Sequence, residues 1–155
     1  LVGVLAADLS LNASDYRAGE RTFQILTQAV GRAGRKEKKG AAVIQTYQPE
    51  HYSIRAAALQ DYPAFFEEEI GYRELMNYPP AHQLLAIHAA CQEEERLEQA
   101  MEYIRRFLLR FHGDTQVQLI GPARESVAKI SDLYRYVLYV KAPRQEILFT
   151  MRERL

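Results

Sequence analysis

Apolar positions along this chain follow two rhythms, and the change between them falls near the middle. Leu1–Ala7 is a short continuous apolar run closed by Asp8. That pattern predicts a strand buried in a parallel sheet, with function expected at its carboxyl end. The polar stretch Asn12–Arg17 reads as a loop able to cap a helix. Phe23, Ile25, Leu26, Ala29 and Val30 then recur at helical spacing over about Ala18–Ala33, and Gly34 with Lys36–Gly40 stops that helix. Ala41–Tyr47 is short and β-rich, and Pro49 opens a further helix over Glu50–Leu59. Strand, helix, strand, helix in that order predicts part of a parallel α/β sheet.

Asp61–Met76 predicts an acidic helix carrying Phe65, Phe66, Ile70 and Met76, and Tyr78-Pro79-Pro80 forbids its continuation. A boundary is expected near Asn77. Beyond it, Gln83–Cys91 suits a strand, and Glu93–Phe111 is the clearest helix of the chain. Its apolar residues Leu97, Met101, Ile104, Leu108 and Phe111 step by four and three. Gln116–Ile120 predicts a strand and Gly121-Pro122 a turn; Val127–Ser131 and Tyr134–Lys141 form a hairpin around Asp132, and Arg144–Leu155 a last helix. The first hairpin strand reads equally as an extension of the strand before Gly121. The order β-α-β-β-α lacks one strand of a ferredoxin-like βαββαβ domain. The expected division is therefore 1–60, a connecting helix and proline boundary at 61–80, and 81–155. The chain starts without methionine inside an apolar run and stops on Arg154-Leu155 within a helix. A piece of a longer protein is expected, with the missing strand beyond its end.

Charge changes the picture in one respect. Lys+Arg and Asp+Glu both total 20 in 155 residues, so no bulk basic field announces nucleic acid, and any such contact has to be local. The single cysteine, Cys91, cannot form an internal disulfide, which fits a reducing compartment. It reads as a small buried hydrophobe. No apolar run approaches the ~18–20 residues needed to span a bilayer, and Leu1–Ala7 is too short for a signal peptide. His51, His82, His88 and His112 are scattered without ligand spacing, so no metal site is expected in the chain. No Ser/His/Asp or Cys/His arrangement stands out. Glu67-Glu68-Glu69 and Glu93-Glu94-Glu95 read as solvated helix starts.

The chemistry concentrates in Gln28-Ala29-Val30-Gly31-Arg32-Ala33-Gly34-Arg35, of the form Q-x-x-G-R-x-G-R. Two guanidiniums three residues apart at a helix end suit phosphate, because each donates bidentate, charge-assisted hydrogen bonds. The glycines let backbone approach a ligand closely. A solvated basic helix terminus, favoured by the macrodipole, fits the same residues. Lys36, Lys38 and Lys39 extend the cationic run and are candidates for a DNA backbone, although a solvated helix-to-strand loop explains them as well. Arg135, Tyr139 and Lys141 alternate onto one face of the last predicted strand. Such a basic-aromatic face stacks bases in some proteins and is the solvent side of a half-buried strand in others.

Q-x-x-G-R-x-G-R is similar to motif VI of superfamily 2 helicases. With the strand LVGVLAAD (Leu1–Asp8), the stretch DYRAGERTFQ (Asp15–Gln24) and TYQPEH (Thr46–His51), the chain resembles the primosomal replication-restart DNA helicases of that superfamily. The likeness continues through Tyr62–Phe66, Tyr78-Pro79-Pro80, Gly121-Pro122-Ala123 and Leu138–Pro143, covering nearly the whole chain. Departures are Gly71 within the acidic helix, Ala81 after the two prolines, and a hairpin over Arg124–Lys141 less basic than the family pattern.

The resemblance implies an α/β fold: part of the second RecA-like helicase lobe, followed by the ferredoxin-like domain. It implies a 3′-to-5′ DNA helicase using ATP and Mg2+, with Gln28 and Gly31 at the nucleotide and Arg32 and Arg35 reaching its γ-phosphate. Arginine fingers of this kind contribute ~10³–10⁵ in rate. Implied partners are branched or forked DNA, single-strand-binding protein and other primosome proteins, in the bacterial cytoplasm at the nucleoid and not at a membrane. Zinc is expected only in the family's upstream region. The chain contains no G-x-x-x-x-G-K-[ST] phosphate loop, so by itself it is expected neither to hydrolyse ATP nor to bind zinc. Two other readings remain: a non-catalytic DNA- or partner-binding module, and the second lobe of a different superfamily 2 helicase.

Overall fold

The computed structural model describes residues 1–33, 40–111 and 116–155. The architecture is mixed α/β, and the chain divides into two compact units, Leu1–Tyr72 and Arg73–Leu155.

In the first unit, β1 (Val2–Val4) pairs in parallel with β2 (Ala42–Ile44), Gly3 opposite Val43. Both strands are shorter than their apolar runs. Ala6 takes a left-handed conformation (φ 51°), and a 3-10 turn over Ala7–Leu9 ends β1 early. Parallel strands cannot be joined by a tight turn, and α1 (Ala18–Ala33) supplies the crossover. α2 (Tyr52–Leu59) starts later than Pro49 suggested, because His51 caps it: Ser53 N donates to His51 Nδ1 at 3.2 Å. α3 (Tyr62–Leu75) runs straight through Gly71.

The core of this unit joins Ala7, Phe23, Leu26, Ile54, Ala56, Ala57 and Phe65, with Val4 and Ile44 packed against it. Phe23 stacks on Phe65 with ring centroids 4.1 Å apart. The expectation of a buried strand over Leu1–Ala7 is corrected by the exposure of one face of this sheet. Among the described residues only one sheet face is covered, and Leu5 and Val43 on the other are 80% and 59% exposed.

The second unit is a three-stranded antiparallel sheet of order β3-β5-β4, formed by β3 (Gln83–Cys91), β4 (Gln118–Ile130) and β5 (Leu133–Ala142). β3 and β5 pair residue for residue from Gln83↔Ala142 to Cys91↔Tyr134. Helices α4 (Glu94–Phe111) and α5 (Gln145–Glu153) cover one face. Leu97, Met101 and Leu108 of α4 meet Tyr136, Leu138 and Val140 of β5 and Leu148 and Met151 of α5, and Ile104 packs at the margin.

Gly121-Pro122 is not a turn. β4 continues through it as an irregularity in register, between Ile120↔Tyr139 and Ala123↔Val137. Gly121 sits at φ 100°, and a Cβ there would meet the Val137 carbonyl oxygen at 2.9 Å, so the irregularity requires glycine.

Candidate nucleotide and nucleic-acid site

Helix α1 carries most of the predicted chemistry. Its apolar period turns Ala18, Thr22, Phe23 and Leu26 into the core. The opposite stripe of Arg21, Gln24, Ile25, Gln28, Gly31 and Arg32 is exposed. The structure thus brings Gln28, Gly31 and Arg32 together on one solvent-facing side, one turn apart. Among the described residues a Cβ at Gly31 would meet no heavy atom within 4 Å, so packing against them does not demand this glycine. Arg35, the second predicted finger, and Lys36, Lys38 and Lys39 lie outside the described residues.

The helix is pinned along its buried side. Thr22 Oγ1 lies 2.7 Å from Ser10 Oγ and 2.8 Å from the Ala18 carbonyl, and Gln60 Nε2 donates to the Thr27 carbonyl at 3.1 Å. At its first turn, Gly19 faces a polar contact between the other two helices: Tyr52 Oη donates to Glu69 Oε2 at 2.6 Å. A Cβ at position 19 would stand 2.6 Å from that hydroxyl and 2.9 Å from that carboxylate oxygen. Glu69 is buried, and burial with this hydrogen bond to the carboxylate pushes the Tyr52 phenol well up.

The carboxyl ends of β1 and β2 are joined by buried Asp8, which accepts from Thr46 Oγ1 at 2.6 Å and from the Tyr47 amide at 3.0 Å. The Thr46 hydroxyl and then the Tyr47 amide hold its carboxyl below the usual range. The Tyr47 ring itself is 87% exposed. Between β1 and α1 lies a feature that periodicity alone does not single out. Asp15 accepts from the Arg17 amide at 3.0 Å and from Arg17 Nε at 3.3 Å, and pairs with Arg21 Nη1 at 2.9 Å. Its sequence signal is the spacing D-x-R-x-x-x-R within Asp15–Gln24.

In the second unit the predicted basic face is present but already engaged. Arg135 Nη2 pairs with Glu125 Oε2 at 2.9 Å, and the other oxygen of Glu125 lies 2.8 Å from His88 Nδ1. Tyr139 is partly buried on that face. Lys141 requires a correction. It is only 4% exposed, its ammonium donates to the Met76 carbonyl at 2.8 Å, and it lies 3.5 Å from the centre of the Tyr78 ring. The segment before β3 covers this end of the sheet, so Lys141 cannot meet a DNA phosphate. Burial lowers its pKa. Among the described residues no group of three His, Cys, Asp or Glu side chains could hold a metal ion, and no helix is long and apolar enough to cross a membrane.

Residues 74–154 match the family described as Primosomal protein N C-terminal domain. The chain belongs to this family. Over all 155 residues it is 38% identical to the Replication restart protein PriA of Bacillus subtilis, covering 100% of this chain and 19% of that protein. The protein of the same description from Synechocystis is 42% identical over 143 residues, covering 92% of this chain and 17% of its own length. That from Borreliella burgdorferi is 33% identical over 144 residues, covering 90% and 21%. The matched family segment coincides with the second unit and its β3-β5-β4 sheet, whereas the similarity to the PriA proteins extends over α1 as well.

Proposed function

We propose that this chain is part of an ATP-dependent 3′-to-5′ DNA helicase acting in replication restart, to which it contributes one side of the nucleotide site and an accessory domain. On this reading residues 1–60 belong to a RecA-like lobe, 61–80 connect, and 81–155 form a ferredoxin-like domain. The strand order β3-β5-β4, all antiparallel, supports the last assignment. Renumbered within the unit it is 1-3-2, and the fourth strand of βαββαβ would lie beside β3.

The observation that carries the proposal is the exposed stripe Gln28–Gly31–Arg32, with no described residue within 4 Å of a Cβ at Gly31. The residues fit a nucleotide's phosphates: a planar guanidinium donates to two oxygens together, an amide side chain hydrogen-bonds at their margin, and a missing side chain lets the ligand approach the backbone. ATP, when bound, would supply the phosphoryl group that is transferred to water. This chain's part is electrostatic: Arg32, with Arg35, balances charge that grows on the phosphate oxygens. The phosphate loop and metal ligands would have to come from outside these residues.

The test uses the full-length protein. Arg32→Ala is expected to lower DNA-stimulated ATP turnover by ~10³-fold or more while DNA affinity is retained. Gly31→Ala separates function from folding. In an open helical position it is expected to raise stability by ~0.5–1 kcal/mol while lowering turnover. Wild-type turnover in both variants would overturn the proposal. The 155-residue chain alone is expected to hydrolyse no ATP.

A further inference from the structure

The loop between β1 and α1 is built around two arginines that stand outside the Gln28–Arg35 motif. We infer that Arg17 and Arg21, held by Asp15, form a fork for a phosphate of a single-stranded nucleic acid. This rests on the reading of the chain as part of a DNA motor and names a strand-binding site within it.

One carboxylate organises both cations. Oδ1 of Asp15 accepts from the Arg17 amide and Nε, while Oδ2 accepts from Arg17 Nη2 at 3.3 Å and pairs with Arg21 Nη1 at 2.9 Å. The Arg17 guanidinium also lies 5.5 Å from the centre of the Tyr16 ring. Partial burial alone would raise the Asp15 pKa, but the Arg17 amide and guanidinium and the charge of Arg21 hold it below the usual range, so the carboxylate stays ionised. The side chains of Arg17 and Arg21 are each 49% exposed against 21% for Asp15. The acid stands behind and the guanidiniums in front.

A guanidinium carries five N–H donors, and two of them offer more than one carboxylate can accept. Donors therefore remain for a second anion, already oriented. Glu20, in the first turn of the helix, accepts from Gln24 Nε2 at 3.1 Å, and its charge also favours the Arg17 guanidinium. The fork stands at the start of a 16-residue helix, after the carboxyl end of a parallel strand, where both the helix dipole and sheet topology favour an anion.

The class of ligand follows from spacing and neighbours. Arg21 and Arg32 are eleven residues apart on one stripe, ~16 Å of helix. The fork is therefore too far from Arg32 to share the nucleotide phosphate assigned to that residue, and serves a different one. The same sheet end presents Tyr47, 87% exposed with its amide fixed by Asp8. An anchored, solvent-facing ring stacks an unpaired base and cannot reach one inside a duplex.

The experiment measures binding of a fluorescein-labelled oligo-dT to the full chain by anisotropy across a salt series. The double variant Arg17→Ala/Arg21→Ala is expected to weaken binding at least tenfold. It should also make the dependence of log K on log salt shallower by ~0.7 for each phosphate that is no longer neutralised. Arg17→Lys/Arg21→Lys, which keeps charge without the fork, is expected to retain the slope with intermediate affinity. If thermal unfolding shows that the alanine pair does not fold, the lysine pair decides: wild-type affinity in it overturns the fork. Tyr47→Ala is expected to weaken binding without changing the slope, and unchanged affinity there overturns the single-strand assignment. Unchanged affinity and slope in a folded alanine pair overturn the inference entirely. ATP plays no part in this assay, so its outcome is separate from that of Arg32→Ala in turnover.

Discussion

Two single residues show how a titratable side chain can be spent on structure. His51 Nδ1 is the acceptor that caps α2, a role open only to the neutral ring, and burial lowers its pKa from the ordinary 6.5. The unfolded chain therefore takes up a proton at a higher pH than the folded one. Stability is complete above about pH 6.5 and is lost as pH falls from there through the folded value. Urea unfolding at pH 7.5 and 5.5 should show this loss, and His51→Asn, which keeps a capping acceptor that does not titrate, should remove it; an equal loss in that variant would refute the assignment.

Lys141 is the second case. Lys141→Met, which strands the Met76 carbonyl, is expected to cost ~1–3 kcal/mol in denaturant unfolding without changing DNA affinity. An unchanged stability with weaker DNA binding would restore the phosphate-binding reading. Alternation along β5 identifies its face correctly. It is blind to the chain segment lying over one end of that face, because period-2 patterns carry no information about what a distant loop covers. The Asp15 fork escapes for a related reason: it is a local hydrogen-bond arrangement in an aperiodic loop.

Elements with a strong period are the most legible. α1 matches its expected span, α4 lies within one residue of it, and β3 occupies Gln83–Cys91 as expected, since an apolar stripe records which side of an element meets the core. Gly121-Pro122 is illegible from its residue types because glycine and proline mark turns and strand irregularities alike. The structure distinguishes the two through φ and the nearness of the Val137 carbonyl. Gly121→Ala is expected to destabilise the second unit by ~1–3 kcal/mol, read as a lower urea midpoint, because it adds both an unfavourable φ and a clash. The real turn is at Ser131 and Asp132, with φ of 50° and 63°, the two successive left-handed residues that a tight hairpin needs.

For the whole molecule, the order of elements indicates an α/β class, and the finer reading of lobe and accessory domain rests on resemblance and strand order. The sheet of the first unit leaves Leu5 and Val43 open on one face among the described residues. Apolar faces of this kind drive association. The 155-residue chain is therefore expected to self-associate at micromolar concentration, and Leu5→Thr/Val43→Thr should shift it towards monomer in sedimentation velocity. A wild-type chain that sediments as a monomer would count against an open apolar face.

The glycine in the first turn of α1 has a consequence at a distance. Gly19 lets the helix rest directly against the Tyr52–Glu69 hydrogen bond, and a methyl group there would require the tips of those two side chains to shift. Thirteen residues on, ~20 Å along the same rigid rod, stands Arg32. A side chain at position 19 that these tips do not yield to would lift one end of that rod, and a small tilt at the pivot becomes a displacement at the far tip comparable to the tolerance of a hydrogen bond. A substitution there would therefore resemble damage to the arginine itself, in a protein whose arginine is intact.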